Sequence, residues 1–179
     1  MSQDLETVRG ALRERLGEAL LEEHEFRGDL TVTLPRERLV EALTFLRDDP
    51  RLRFDLLSDL TAVDRPEEEL RFEVVYQLTS TVHRRFLGVK TRVRDAEPCP
   101  TATGVWPGAN WMEREVYDLM GIPFDGHPDL RRILCPDDWE GHPLRKEYPL
   151  GREEVAFTHN LDTYQPRPVI ISPDYTDAY

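Results

Sequence analysis

Cysteine is scarce in this chain, and its scarcity excludes several kinds of redox centre. The 179 residues contain two cysteines, Cys99 and Cys135. An all-cysteine iron–sulfur cluster takes four thiolates, so the chain cannot hold one alone. A covalent haem motif is missing, and one pair of cysteines does not make a disulfide framework.

Long apolar runs are missing as well. The first 25 residues have no apolar core of the kind found in secretory signal peptides, and no run of about 18 apolar residues is available to cross a bilayer. The leader is also not of the Arg- and Ser-rich, acid-poor kind that directs import into organelles. We therefore expect the chain in a bacterial cytosol or on the cytosolic side of a membrane.

Motifs for binding nucleotides or activating a nucleophile are missing too. The ten glycines form neither a Gly-x-Gly-x-x-Gly fingerprint nor a P-loop, and there is no Gly-x-Ser-x-Gly elbow. The net charge of −12 disfavours nucleic acid, because binding phosphates depends on clustered Lys and Arg. The sequence is typical of a protein that has no catalytic site of its own and works with partners that carry out the reaction.

Apolar periodicity predicts two helices near the N-terminus. The first has an apolar residue every three or four positions: Leu5, Val8, Leu12, Leu16 and Leu20. The second begins at Pro35, which suits a first helical turn, and runs to about Arg47. Between them, two short strands are predicted to turn at 27–29.

Three further strands are predicted within residues 52–64, 70–80 and 83–93. Short polar turns join them, so they are expected to be antiparallel neighbours. Helices on one side of such a sheet make a two-layer α+β domain, with a mostly antiparallel or mixed sheet of four to five strands. This domain is predicted to span residues 1–121.

A third helix is predicted after residue 108. Asn110 is a favourable N-cap, Glu113 stands at the capping-box position, and Gly121 is placed to end the helix. Its buried stripe is predicted to be Met112, Val116, Leu119 and Met120.

Residues 122–179 lose this periodicity. They hold eight of the 14 prolines, and residues before proline are pushed towards extended conformations. Large apolar residues are interleaved throughout, which is not the composition of a disordered tail. An extended C-terminal arm that wraps a partner subunit is therefore predicted.

Within the arm, Gly-His-Pro occurs twice, placing His127 and His142 on either side of Cys135. A stand-alone metal-dependent enzyme would use these three residues as ligands, but none of them has the close spacing of recognisable zinc sites. The alternative is that both histidines satisfy backbone groups in tight turns.

Residues 113–133, "EREVYDLMGIPFDGHPDLRRI", closely resemble the signature of the 30 kDa (or C) subunit of respiratory complex I, NADH:quinone oxidoreductase. The resemblance extends through "SDLTAVD", "RFEVVYQL" and "DDWEGHPLRKEYPL" and covers roughly residues 30–150. It implies a non-catalytic subunit of the peripheral arm with no cofactor of its own, because FMN and the iron–sulfur clusters lie in other subunits.

The resemblance also implies the partners. They are chiefly the D subunit, which forms the quinone pocket, and also the B subunit, in a hetero-oligomer peripheral to the cytoplasmic side of the bacterial membrane. Ten residues are expected to bind them: Glu113, Arg114, Glu115, Asp118, His127, Arg131, Arg132, His142, Arg145 and Lys146. The four cations at 131, 132, 145 and 146 are expected to meet carboxylates within the arm or across the interface. An equivalent subunit of a membrane-bound hydrogenase or a ferredoxin-linked quinone reductase is the alternative, since the electron-input end lies in other subunits.

Overall fold

The computed structural model describes residues 2–149. Three α-helices and seven strands follow one another along this part of the chain: α1 Ser2–Leu16, β1 Glu22–Phe26, β2 Asp29–Thr33, α2 Leu39–Asp48, β3 Leu56–Asp64, β4 Phe72–Ser80, β5 Arg85–Val93, β6 Cys99–Pro100, α3 Ala109–Met120 and β7 Phe124–Asp125. Short 3-10 turns at Gly17–Ala19 and Arg36–Arg38 follow α1 and precede α2. The predicted α+β class is confirmed.

Five strands form one mixed sheet in the order β1-β2-β5-β4-β3. The hairpin β1–β2 and the meander β3–β4–β5 are antiparallel, as their short turns predict. The contact between β2 and β5 is parallel and joins these two antiparallel groups. This pairing leaves β3 at one edge of the sheet.

One face of the sheet carries the hydrophobic core. In β4 every second side chain points to this face and is buried: Phe72, Val74, Tyr76 and Leu78. The apolar stripes of α1 and α2 belong to the same buried cluster, with Leu12 and Leu43 fully buried. Side chains alternate between the two faces of a strand and recur about every 3.6 residues on one side of a helix, so the sheet and each helix have one apolar side. These apolar sides pack against each other, which gives two layers.

A second, smaller sheet was not predicted from the sequence. β6 and β7 pair in parallel, so α3 is the connection between them. The N–H of Cys99 donates to the carbonyl of Pro123 (2.9 Å), and the N–H of Thr101 donates to that of Asp125 (2.9 Å). The segments that precede and follow α3 are thereby fixed to each other.

The predicted N-cap of α3 is wrong, whereas its start after residue 108 and its end at Gly121 are confirmed. The N-cap residue is Gly108 and no side chain caps the helix, so Asn110 lies inside it and Glu113 is not part of a capping box. Gly121 has φ +73° at the C-cap, and its N–H donates to the carbonyl of Tyr117. A left-handed residue at this position is the usual reason for glycine.

The chain divides into two compact units, Met1–Lys146 and Glu147–Tyr179. The first unit extends beyond residue 121, where the sequence places the end of the domain, because residues 122–146 pack with it. Ile122 and Phe124 are buried in the core cluster. The remainder of the predicted arm, residues 150–179, lies outside the described residues, and its wrapping of a partner stays a prediction.

Candidate functional site

The candidate site is α3 together with residues 126–146, which run back along this helix and are called here the return segment. All ten residues predicted to bind a partner lie in these two elements. The structure separates them into side chains that hold the return segment in place and side chains that face outwards.

Two residues one helical turn apart bind the backbone of the return segment. The guanidinium of Arg114 donates to the carbonyls of Arg131 and Arg132, each at 3.1 Å. Four residues further on, one carboxylate oxygen of Asp118 accepts three successive backbone N–H groups: those of Ile133 (3.0 Å), Leu134 (2.7 Å) and Cys135 (2.8 Å). Side chains at i and i+4 lie on the same side of a helix, so they act as one clamp on the segment.

The second oxygen of Asp118 accepts from the guanidinium of Arg132 at 3.1 Å, and the same guanidinium donates to the carbonyl of Gly141. The Asp118 side chain is fully buried. Burial raises the pKa of Asp118, but the N–H donors of Cys135, Leu134 and Ile133 outweigh it, so the pKa lies below its usual value. Asp118 is therefore a structural anion.

His127 satisfies backbone groups at the start of α3. Its Nδ1 accepts from the N–H of Asp129 (3.0 Å), so its Nε2–H donates to the carbonyl of Asn110 (3.2 Å). These two contacts assign the neutral tautomer with the proton on Nε2. Its side chain is fully buried.

His142 also binds a backbone group of α3, near the end of the helix. Its Nδ1–H donates to the carbonyl of Asp118 at 2.8 Å. The two carbonyls bound by the histidines, those of Asn110 and Asp118, are eight residues apart, or about 12 Å along a helix. His127 and His142 are therefore too far apart to share a metal ion. Among residues 2–149, no group of three or more His, Cys, Asp or Glu is arranged to hold one.

Arg145 closes the return segment onto the sheet. Its Nε donates to the carbonyl of Met120 (2.7 Å), its two terminal nitrogens donate to Asp95 (3.2 and 3.0 Å), and its guanidinium lies 5.2 Å from the centre of the Phe72 ring. The N–H of Lys146 then donates to Asp64 (2.8 Å).

Gly121 leaves room for this closure. A Cβ at this position would clash with the ring of His142 and lie 2.9 Å from Nη2 of Arg145. The positive φ and the close approach therefore both require glycine here.

Glu113 is a buried carboxylate in the first half of α3, beside His127. It accepts from the hydroxyl of Thr101 (2.5 Å) and the N–H of Ala102 (2.6 Å), and it lies 4.0 Å from Nε2 of His127. Burial raises its pKa to about 7, although the two hydrogen bonds from Thr101 and Ala102 oppose the rise. Glu113 thus ties α3 to the loop that follows β6.

Three of the predicted residues face solvent. Glu115 and Lys146 are exposed, and neither side chain has a hydrogen-bond or ion-pair partner among residues 2–149. Arg131 is 72% exposed and pairs with the exposed carboxylate of Asp129. Apolar residues lie exposed in the same two elements, namely Trp111, Leu134 and Leu144.

Seven of the ten predicted residues, all except Glu115, Arg131 and Lys146, therefore use their side chains to bind buried or partly buried groups of this same chain. The Cys99 thiol, which lies 3.5 Å from the Tyr76 hydroxyl, is buried, and burial raises its pKa to about 12.

In the described part of the chain, no helix is long and apolar enough to span a membrane.

Comparison with known proteins adds the family. Residues 32–154 match the family described as "Respiratory-chain NADH dehydrogenase, 30 Kd subunit". A protein of Roseiflexus sp. (strain RS-1), named as the C subunit of NADH-quinone oxidoreductase, is 54% identical over 163 residues, which are 90% of this chain and 94% of that protein. The protein of the same name from Brucella ovis is 44% identical over 177 residues, covering 98% and 88%.

A solved structure is also similar. A chain of the membrane-bound sulfane sulfur reductase (MBS), an archaeal respiratory membrane complex, aligns over 93% of this chain and 97% of its own length, with a TM-score of 0.70 and 25% identity. Sequence and fold agree with the resemblance carried by residues 113–133. The chain therefore belongs to the family of the respiratory-chain NADH dehydrogenase 30 kDa subunit, and its Roseiflexus and Brucella relatives are subunits of NADH-quinone oxidoreductase.

Proposed function

We propose that this chain is a non-catalytic, cofactor-free structural subunit in the peripheral arm of a proton-translocating NADH:quinone oxidoreductase. Its partners supply the FMN, the iron–sulfur clusters and the quinone pocket. It docks chiefly on the D subunit and also contacts the B subunit, at the cytoplasmic side of the membrane and without entering the bilayer.

The observation that carries this proposal is the internal use of the charged side chains of α3. An active site needs polar groups that converge on a space a substrate can reach. Here Arg114 and Asp118 converge instead on the backbone of residues 131–135. Such contacts fix the course of a chain segment, which is the work of a scaffold.

Docking is assigned to the residues that these contacts leave exposed. Glu115, Arg131 and Lys146 present both signs of charge, and large apolar side chains lie in the same elements: Trp111, Leu134 and Leu144. Aromatic anchors with charged neighbours are typical of protein interfaces. The contacts of Arg114 and Asp118 already restrict the return segment, so its exposed side chains lose less conformational entropy when a partner binds.

An equivalent place in another respiratory membrane complex is the alternative, and the similarity in fold to the archaeal reductase supports it. The two assemblies differ in the subunits that admit electrons. Purifying the chain with its partners from gently solubilised membranes, followed by mass spectrometry, tests both proposals. Recovery of subunits with NADH dehydrogenase activity supports the first, and recovery of a complex without them supports the alternative.

Arg131→Ala tests the docking role within the assembled complex. We expect less complex per cell, with quinone reductase activity lowered only in proportion, because an exposed arginine contributes to contacts and not to chemistry. Arg13→Ala is the matched control, since Arg13 is also an exposed arginine in an ion pair, on α1. Normal assembly with collapsed turnover would contradict the scaffold role.

A further inference from the structure

A groove separates the edge strand β3 from α3 and is called here the β3–α3 groove. Its volume is about 160 Å³, and its lining consists of Asp59, Leu60, Thr61, Glu115, Val116, Leu119, Met120 and Leu144. The lining combines residues of the sheet edge, the helix and the return segment. The return segment contributes Leu144 to this lining, and β3 and α3 contribute the rest.

The lining carries negative charge above an apolar floor. Asp59 and Glu115 are exposed, and neither carboxylate has an ion-pair or hydrogen-bond partner among the described residues. No cationic side chain of residues 2–149 lines the groove. The arginines of α3 and of the return segment are engaged elsewhere: Arg114 with the carbonyls of residues 131 and 132, Arg131 with Asp129, Arg132 with Asp118, and Arg145 with Asp95.

Exposed apolar side chains accompany these carboxylates. Leu144 lines the groove and is 52% exposed, and Trp111 is 62% exposed one helical turn before Glu115. Positions 111, 115 and 119 lie on the same side of α3 because they are four residues apart. An aromatic, a carboxylate and a leucine thus form one stripe along the rim.

The size of the groove selects its occupant. Sites for small molecules and cofactors usually have about 300 Å³ or more, so this groove suits one or two side chains of another protein. Within residues 2–149, β3 pairs with β4 alone, and an edge strand offers free N–H and C=O groups to an extended segment. Two unpaired carboxylates favour a cation in that segment, and the leucines favour an aliphatic neighbour.

We propose that the β3–α3 groove binds an extended segment of a neighbouring subunit that presents an Arg or Lys beside an aliphatic side chain. The cation pairs with Asp59 and Glu115, and the aliphatic side chain covers Leu119 and Leu144. This inference rests on the proposed function, because it requires an assembly to which the chain belongs. It adds the place and the chemistry of one contact.

The first test reverses the charge of the groove in the whole complex. Full-length chain carrying Asp59→Arg and Glu115→Arg is expressed in place of the native chain, and the subunits that purify with it are quantified. The matched control is Asp29→Arg with Glu67→Arg, which changes the net charge equally at exposed positions away from the groove. We expect recovery of the neighbouring subunit to fall at least tenfold for the groove variant and to change less than twofold for the control.

Equal recovery for both variants would overturn the proposal. Circular dichroism shows whether the groove variant folds. If it does not, Asp59→Asn with Glu115→Gln replaces it, because this pair removes the charges with little change in shape. Unchanged recovery of the neighbouring subunit would again overturn the proposal. If the unmodified chain recovers no respiratory subunits, the proposed function itself fails. If it recovers them and the groove variants do too, only the groove assignment fails.

The second test identifies the occupant directly. A photo-reactive residue placed at position 119 of the full chain, within the native complex, should cross-link to a peptide of another subunit that contains Arg or Lys within a few residues of the cross-link. A cross-link to a second copy of this chain, or to a segment without a cation, would overturn the proposal.

Discussion

The carboxylate of Asp118 offers the sharpest test of how the return segment is held. It accepts three backbone N–H groups and a guanidinium and is fully buried. Asp118→Ala leaves all four donors without their acceptor. Asp118→Asn keeps one oxygen for the N–H groups, and the amide NH₂ then faces the guanidinium of Arg132, where two donors meet without an acceptor.

The size of the loss follows from these contacts. Removing one partner of a buried ion pair costs about 3–5 kcal/mol, and each buried donor left unsatisfied costs about 1–3 kcal/mol. The return segment is partly exposed, so water can reach some of its N–H groups after a local opening. We therefore expect Asp118→Ala to lower the free energy of unfolding by about 3 kcal/mol and Asp118→Asn by about half of that.

Two measurements on the purified full-length chain check this. Urea denaturation gives the free energy of unfolding, and limited digestion with trypsin reports local opening, because Arg131 and Arg132 lie in the clamped stretch. A loss of about 3 kcal/mol raises an open population roughly 100-fold, and slow cleavage follows that population.

The control lies in the same segment. Asp129→Ala removes an exposed ion pair with Arg131, which contributes about 0–1 kcal/mol. If Asp118→Ala behaved like Asp129→Ala in both assays, the clamp formed by Arg114 and Asp118 would not be what holds the segment on α3.

Two further predictions concern neighbouring positions. Because the pKa of Glu113 is about 7 in the folded chain against 4.5, the free energy of unfolding of the native chain relative to its Glu113→Gln variant should be highest below about pH 4.5 and fall by about 3 kcal/mol as the pH rises to about 7. Urea denaturation of both proteins across this range checks it, and a difference that stays constant with pH would refute it. Gly121→Ala should lower the free energy of unfolding by about 2 kcal/mol or more, because alanine disfavours the left-handed backbone and its Cβ would clash with His142. Gly104→Ala is the control: its Cβ would have open space, so its thermal unfolding should be nearly unchanged.

The large sheet could be predicted from the sequence because its strands are sequential neighbours with one buried face. Alternation in β4 places Tyr76 in the core, and the turn at 27–29 sets the β1–β2 register. The parallel contact between β2 and β5 could not be predicted, since more than 50 residues separate Val32 from Val89 and no local pattern encodes the pairing. The two-residue strands β6 and β7 are too short to have a period.

The burial of charge in α3 was missed for a different reason. Acidic side chains are almost never fully buried unless paired, so sequence reasoning assigns them to the surface. Glu113 nevertheless shares a helical face with Ala109 and Val116, at spacings of four and three, and both are buried. That spacing was the available signal. Asp118 had none, because its partners are backbone groups of residues 133–135.

The dense charges of residues 113–146 therefore have two separate meanings. Most of them hold the chain to itself, so a match to this signature identifies the fold and the family without locating the interface. Substituting Asp118 or Arg114 would reduce assembly by loosening the return segment, whether or not either residue lies near a partner. Only substitutions at exposed positions that leave stability unchanged, such as Glu115 and Arg131, can report on docking itself. Assembly defects in this family of subunits have to be compared with unfolding free energies before any residue is assigned to the interface.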